Sequence, residues 1–291
     1  MRFSIPATWA MIKRIGVAID EKNVGLISAG VAFYGLLAIF PGISALIAIF
    51  GLVADPQVVF EQLALLQEFI PPDAYSLIEV QMKGLLGARA ETLGLATVIS
   101  ISVALWSARA GVAALMRGLN AIFSAPSRGG LRHILVALTL TISLIGIAIT
   151  AMFTVLITPV LLKLLPLPSD LSLLLDMLRW AVSLFVLLAA LGLLYRYGPN
   201  KRGARMKWVT PGSFIVVIVW LAASAGFSFY VTNFGSYNEV YGSIGAVIAL
   251  LMWMYITSYL ILMGAVINVD MARDRNTPKV TGTTDIAQES P

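Results

Sequence analysis

Between Lys22 and Asp55 the chain carries no charged side chain and is apolar almost throughout. A helix needs about 20 mostly apolar residues to cross the hydrocarbon core of a bilayer, so this run points to a membrane span. Five more follow. With the first at about 24–54, the expected spans lie at about 92–116, 134–162, 172–195, 211–233 and 241–269. The fourth is charge-free only from Trp180 to Tyr195 and is extended outward to take in Asp176 and Arg179. The first is no signal peptide: it starts too deep, runs too long and shows no small-residue cleavage site. Composition agrees. Apolar residues are 59% and charged residues 12% of the 291, against about 45–50% and about 25% in soluble domains. That excludes a soluble enzyme and a disordered chain, and the lack of cysteine excludes a disulfide-stapled secreted domain.

Charge placement orients the spans. Sixteen of the twenty bases fall in four segments that an even number of crossings puts on one side. They precede the first span (Arg2, Lys13, Arg14, Lys22) or separate the second from the third (Arg109, Arg117, Arg128, Arg132). The rest separate the fourth from the fifth (Arg196, Lys201, Arg202, Arg205, Lys207) or follow the sixth (Arg273, Arg275, Lys279). The other side has Lys83, Arg89, Lys163 and Arg179, together with nine of the fifteen acids, so the two sides carry +10 and −5. Such a bias places both termini in the cytoplasm. The expected fold class is therefore all-α: a polytopic membrane helix bundle with six transmembrane helices and an outer amphipathic helical hairpin.

That hairpin is expected at 55–91. Val59, Leu63, Leu66 and Phe69/Ile70 make one apolar stripe, Pro71-Pro72 breaks it, and Tyr75, Ile78, Met82 and Leu85/Leu86 make another. It is either a lid over helix ends or a movable gate. Residues 1–23 form a cytoplasmic N-terminal segment. The tail 271–291 has no apolar period and is expected to be disordered. The Lys201–Lys207 run is a topology determinant that also faces anionic head groups.

Catalytic residues are scarce. His133 is the single histidine and sits at a helix start beside Arg132. Without cysteine there is no thiolate and no zinc-type cluster. The acids lie in loops or at span edges, and no Walker or dinucleotide glycine motif is present. The bases are not interleaved with aromatics, which disfavours nucleic acid. The expectation is a protein that is not an enzyme and carries no metal or cofactor.

Polar groups within spans are costly and mark function. At 100° per residue, Arg109, Arg117 and Asn120 fall within about 80° of one another. They read either as a snorkelling anchor or as an anion site facing the bundle interior. Phe40-Pro41-Gly42 breaks the hydrogen-bond ladder of the first span, as in helices that line transporter sites. The small residues Ala222–Gly226 and Ser228 of the fifth span suit close helix contact. The outer turn Tyr230–Ser243 is dense in tyrosine and asparagine. Candidate substrate-binding residues are Arg109, Arg117 and Asn120, with Tyr34 and Pro41 of the first span and Tyr237, Asn238 and Tyr241 of the outer turn.

Several blocks resemble the YihY/virulence factor BrkB family. Ser28–Pro41 (SAGVAFYGLLAIFP) is similar to its first-helix signature. Trp106-Ser-Ala-Arg109 with Leu119-Asn120 is similar to its second. Leu194–Asn200, Pro211-Gly212 and Ser236–Ala246 resemble later blocks, so the likeness covers about Arg14 to Asp270. The family closes on Gly-Ala-Glu-Leu-Asn, where this chain has Gly264-Ala-Val-Ile-Asn268, with Val266 in place of the acid. The resemblance implies a six-helix bacterial inner-membrane protein of the UPF0761 type. It also implies a link to cell-envelope biology, with serum resistance and export of a lipid or lipid A precursor among the roles proposed. An old ribonuclease BN label comes with it, and the scarcity of metal ligands argues against that label.

The function expected is transport of a lipid-like or amphiphilic anionic envelope component. The alternative is a non-transporting membrane scaffold for cell-envelope machinery. Small-ion exchange is disfavoured, since no acid lies mid-span. Membrane lipids are the expected partners, with envelope proteins as a further class and nucleic acid excluded.

Overall fold

The computed structural model describes residues 5–53, 90–164, 169–201, 206–233 and 243–276. Among these the chain is helical, in order α1 (Ile5–Glu21), α2 (Val24–Val53), α3 (Ala90–Ile122), α4 (Gly130–Leu164), α5 (Ser169–Tyr197), α6 (Pro211–Asn233) and α7 (Ser243–Asn276). The hairpin expected at 55–91 lies outside the described residues, apart from Ala90 and Glu91, which open α3.

Five helices carry stretches long and apolar enough to cross a membrane: Val98–Ile122, Gly130–Ala151, Met177–Tyr197, Pro211–Val231 and Val247–Arg273. The bent pair α1–α2, counted as one span, supplies a sixth. No more than 22% of any of the five apolar stretches is buried within the protein. Trp106, Trp180, Phe185, Phe214 and Phe229 all point outward. In water such a flank would aggregate; hydrocarbon is the solvent that suits it.

The helices close a ring, α2 to α3 to α4 to α5 to α6 to α7 and back to α2, and α7 also meets α3 and α1. The main core lies at one end of it. Val24 begins α2, Leu119 and Ile122 end α3, Tyr195 ends α5, Val216 and Val217 open α6, and Leu262 to Val266 belong to the late part of α7; all are buried together. A smaller cluster of Ala113, Met116, Ala137 and Leu140 joins α3 to α4. Glycine permits the closest crossings. A Cβ on Gly264 would overlap Val216 and the Tyr195 hydroxyl, and one on Gly212 would overlap the Gly264 carbonyl. The α6 and α7 backbones therefore touch there, which no larger residue allows.

Three features depart from the sequence reading. First, the N-terminal segment is a helix. Apolar Trp9, Ile12, Ile15, Ala18 and Ile19 recur at helical spacing, but Lys13 and Arg14 interrupt them, so the segment escapes a search for spans. Its end is set by Asn23 in the left-handed region (φ 52°), which asparagine tolerates, and α2 leaves at 58° to α1. Second, α7 continues to Asn276, past the last apolar residue of the run. Third, the small residues of α6 do not form one packed face: Ala223 packs against the core, whereas nothing lies within 4 Å of where a Gly226 Cβ would be. The helix meets α7 through Trp220 and Phe227, whose rings lie 5.6 and 5.2 Å from that of Trp253. Beside this aromatic contact Gly226 is left facing open space.

Candidate functional site

The end of the bundle that holds the core also gathers the bases. Lys13, Arg14 and Lys22 of the N-terminal region line a cavity of about 520 Å³ together with Asp270 and Arg273 of α7. Arg273 and Lys201 share a neighbouring groove of about 620 Å³. Lys201 also lines a smaller cavity of about 120 Å³ with Arg128, Arg132 and Arg196. The four basic segments of the sequence thus converge on one surface.

The proposed α3 stripe divides. Asn120 is buried, and its Oδ1 accepts the Asn200 backbone N–H at 2.7 Å. Arg117 is exposed. The helical wheel accounts for the split, because Asn120 is rotated about 20° from Arg109 but Arg117 about 80°, which carries it out of the packed sector. Arg109 is half-buried, inside the apolar stretch Val98–Ile122. Its guanidinium carbon lies 4.1 Å from the centre of the Trp106 ring, a cation–π contact that partly replaces lost hydration. Its Nε is buried and has no acceptor among the described residues. His133 stands within electrostatic reach of Arg117 and Arg128, with Arg109 contributing least.

Tyr34 and Pro41 lie on α2. Tyr34 is half-buried, packs on the core and pairs edge-on with Phe33 at 5.7 Å. Its Cβ is 3.8 Å from where a Cβ would sit on Gly111, two residues beyond Arg109, so the α2–α3 crossing brings Tyr34 to the same level of the bundle. The helix runs unbroken through Pro41, whose missing N–H leaves the Leu37 carbonyl without its usual partner. Tyr237, Asn238 and Tyr241 lie outside the described residues.

Other side chains at this end escape sequence reasoning. Arg14 donates from Nε and Nη2 to the two carboxylate oxygens of Asp270, both at 2.9 Å. Arg128 donates to three successive carbonyls, those of Tyr197 (2.9 Å), Gly198 (2.5 Å) and Pro199 (2.9 Å). It thereby caps α5, whose C-terminal carbonyls have no intrahelical partner and favour a cation. Burial and the neighbouring charge of Arg132 both lower the pKa of Arg128. Asn268 accepts the Gly212 N–H at 2.8 Å, and the buried Tyr195 donates its hydroxyl to the Ile261 carbonyl at 2.7 Å. Val266 is buried and lines the cavity of about 520 Å³ between α1 and α7. No three His, Asp or Glu side chains come together among the described residues.

Fold and flank together define an integral membrane protein built as a helix bundle with a strongly basic end. The chain belongs to the virulence factor BrkB family, whose model matches residues 16–286. It is 31% identical over 258 residues to the ribonuclease-like protein YfkH of Bacillus subtilis (strain 168), covering 86% of this chain and 91% of that one. It is 23% identical over 261 residues to a UPF0761 membrane protein of Kangiella koreensis, covering 89% of this chain and 62% of the relative. A UPF0761 membrane protein of Xanthomonas campestris is 33% identical over 87 residues, a match that spans 30% of this chain and 20% of the relative. No solved structure matches.

Proposed function

We propose that the protein moves a lipid-like anionic envelope component across the bacterial inner membrane, and that its basic end and both termini face the cytoplasm. The observation that carries this reading is Arg109. A guanidinium inside an apolar span is expensive, and this one lacks a full set of acceptors, a deficit that a phosphate or carboxylate head group would fill. The hydroxyl of Tyr34, a residue at the same level, is a further donor for such a group, while the outward apolar flank accommodates acyl chains. The orientation rests on the charge bias of the four basic segments.

Catalysis is not part of the reading, despite the name borne by the Bacillus relative. Cleaving a phosphodiester requires a positioned acid–base pair or a metal, and the buried carboxylate of Asp270 is already engaged by Arg14. The alternative, a scaffold for envelope machinery, predicts no movement of lipid. The deciding experiment reconstitutes the protein into liposomes and follows flipping of a labelled anionic lipid. Acceleration over empty liposomes, reduced at least several-fold by Arg109→Ala, supports transport. Equal rates with and without protein, over several anionic lipids, refute it.

A further inference from the structure

The connection between α5 and α6 is surrounded by hydrogen-bond donors. Arg196 donates from Nη1 to the Met206 carbonyl at 2.9 Å, Asn120 is spent on Asn200, and Asn268 is spent on Gly212. Each keeps one buried atom without a partner: Arg196 Nε, Asn120 Nδ2 and Asn268 Nδ2. Together with Arg109 Nε these are the buried side-chain atoms left unpaired among the described residues, and all are donors. Among the described residues, the unmet need at this end is for acceptors.

The small cavity beside the connection has the matching charge. Arg128, Arg132, Arg196 and Lys201 line it, with Asn200 and no described carboxylate. Aromatic faces hold two of the cations in place, since Arg196 lies 5.5 Å from the Trp208 ring and Lys201 5.9 Å from that of Phe123. Arg128 is fixed by three carbonyls. Three of the four bases, Arg128, Arg196 and Lys201, are thus held in place around one volume. At about 120 Å³ that volume equals about four waters of some 30 Å³ each, room for a phosphate and not for a lipid body. Lys201 connects it to the larger groove walled by Phe123, Met206 and Val269. The pKa of Arg128 is lowered by burial and then by the like charge of Arg132, as expected for cations gathered in a confined space.

We propose that the cavity lined by Arg128, Arg132, Arg196 and Lys201 binds one phosphate group, as a free anion or as the head group of a phospholipid. This site is separate from Arg109 and exists whether or not the protein transports lipid.

The test uses the full chain in a phosphate-free maltoside detergent and a phosphate-free buffer, so that no other phosphate competes for the cavity. Equilibrium dialysis against labelled inorganic phosphate reads the free anion, and native mass spectrometry after adding phosphatidylglycerol reads the head group. One phosphate per chain is expected in at least one arm, and the arm that gives it identifies the source. Arg132 and Lys201 are exposed, so Arg132→Gln and Lys201→Gln should leave the fold intact. Each should weaken binding about ten-fold, as loss of one charge-assisted hydrogen bond does. Lys207→Gln, outside the cavity, should leave affinity unchanged. Absence of stoichiometric binding in both arms overturns the proposal. So does undiminished binding by the Arg132→Gln/Lys201→Gln double variant, or an equal loss in Lys207→Gln, which would mean a diffuse field in place of a site.

Discussion

Arg14 and Asp270, 256 residues apart, meet through two parallel hydrogen bonds of 2.9 Å. The paired geometry fixes α1 against the end of α7 more firmly than a single contact would, because a guanidinium fork and a carboxylate match in both position and plane. Breaking a buried pair costs about 3–5 kcal/mol and an exposed one about 0–1 kcal/mol. The Arg14 side chain is 47% exposed and that of Asp270 11%, so Arg14→Ala is expected to cost about 1–2 kcal/mol, between those limits. The Arg14→Ala/Asp270→Ala double variant should lose less than the two singles combined, because it leaves no stranded carboxylate. Thermal denaturation of the detergent-purified protein measures all three.

Arg128→Lys should destabilise the protein although the charge is kept. A lysine ammonium cannot span three carbonyls with the geometry of a guanidinium, and each charge-assisted hydrogen bond contributes about 1.5–3 kcal/mol. The expected result is a clear fall in melting temperature, together with faster proteolysis at Tyr197–Lys201. Equal stability of the two proteins would remove the capping role.

Gly264→Ala should be among the most damaging single methyl additions. The new Cβ would meet Val216 and the Tyr195 hydroxyl, and overpacking a tight site costs about 1–3 kcal/mol or more. Gly226→Ala serves as the control, since open space surrounds it. Yield of monodisperse protein after purification separates the two.

Tyr195→Phe removes the hydroxyl that reaches the Ile261 carbonyl and keeps the buried ring. A loss of about 1 kcal/mol is expected. Tyr195→Ala adds a cavity and should cost about 3–5 kcal/mol. A Phe variant as unstable as the Ala variant would show that the hydrogen bond, and not the ring, holds α5 to α7.

The apolar runs made the bundle legible because each is long enough to satisfy only one environment. Their charge-free limits also exposed the basic end, since positive charge avoids hydrocarbon in any fold. The contacts at that end were hidden. Arg128 looks like any loop arginine until the α5 carbonyls are placed beside it, and nothing near residue 14 in the sequence announces residue 270. Asn120 illustrates the opposite error: helical spacing grouped it with Arg117, but the packed sector of α3 is narrower than that stripe. Helix α1 was missed because its charges break the apolar count that reveals a span, while its period survives. The small residues of α6 were legible as a face, but not as one that divides, with Ala223 against the core and Gly226 in open space.

The clasp between Arg14 and Asp270 also imposes an order on biogenesis. The chain emerges from the ribosome N-terminus first, so α1 is made before α2 to α7, the last of which carries its partner Asp270. Until then Arg14 lacks the Asp270 carboxylate, and the apolar residues Trp9, Ile12 and Val17 are exposed even in the finished protein. Docking of α1 on α7 is thus a late event, one that follows synthesis of the helix that carries Asp270.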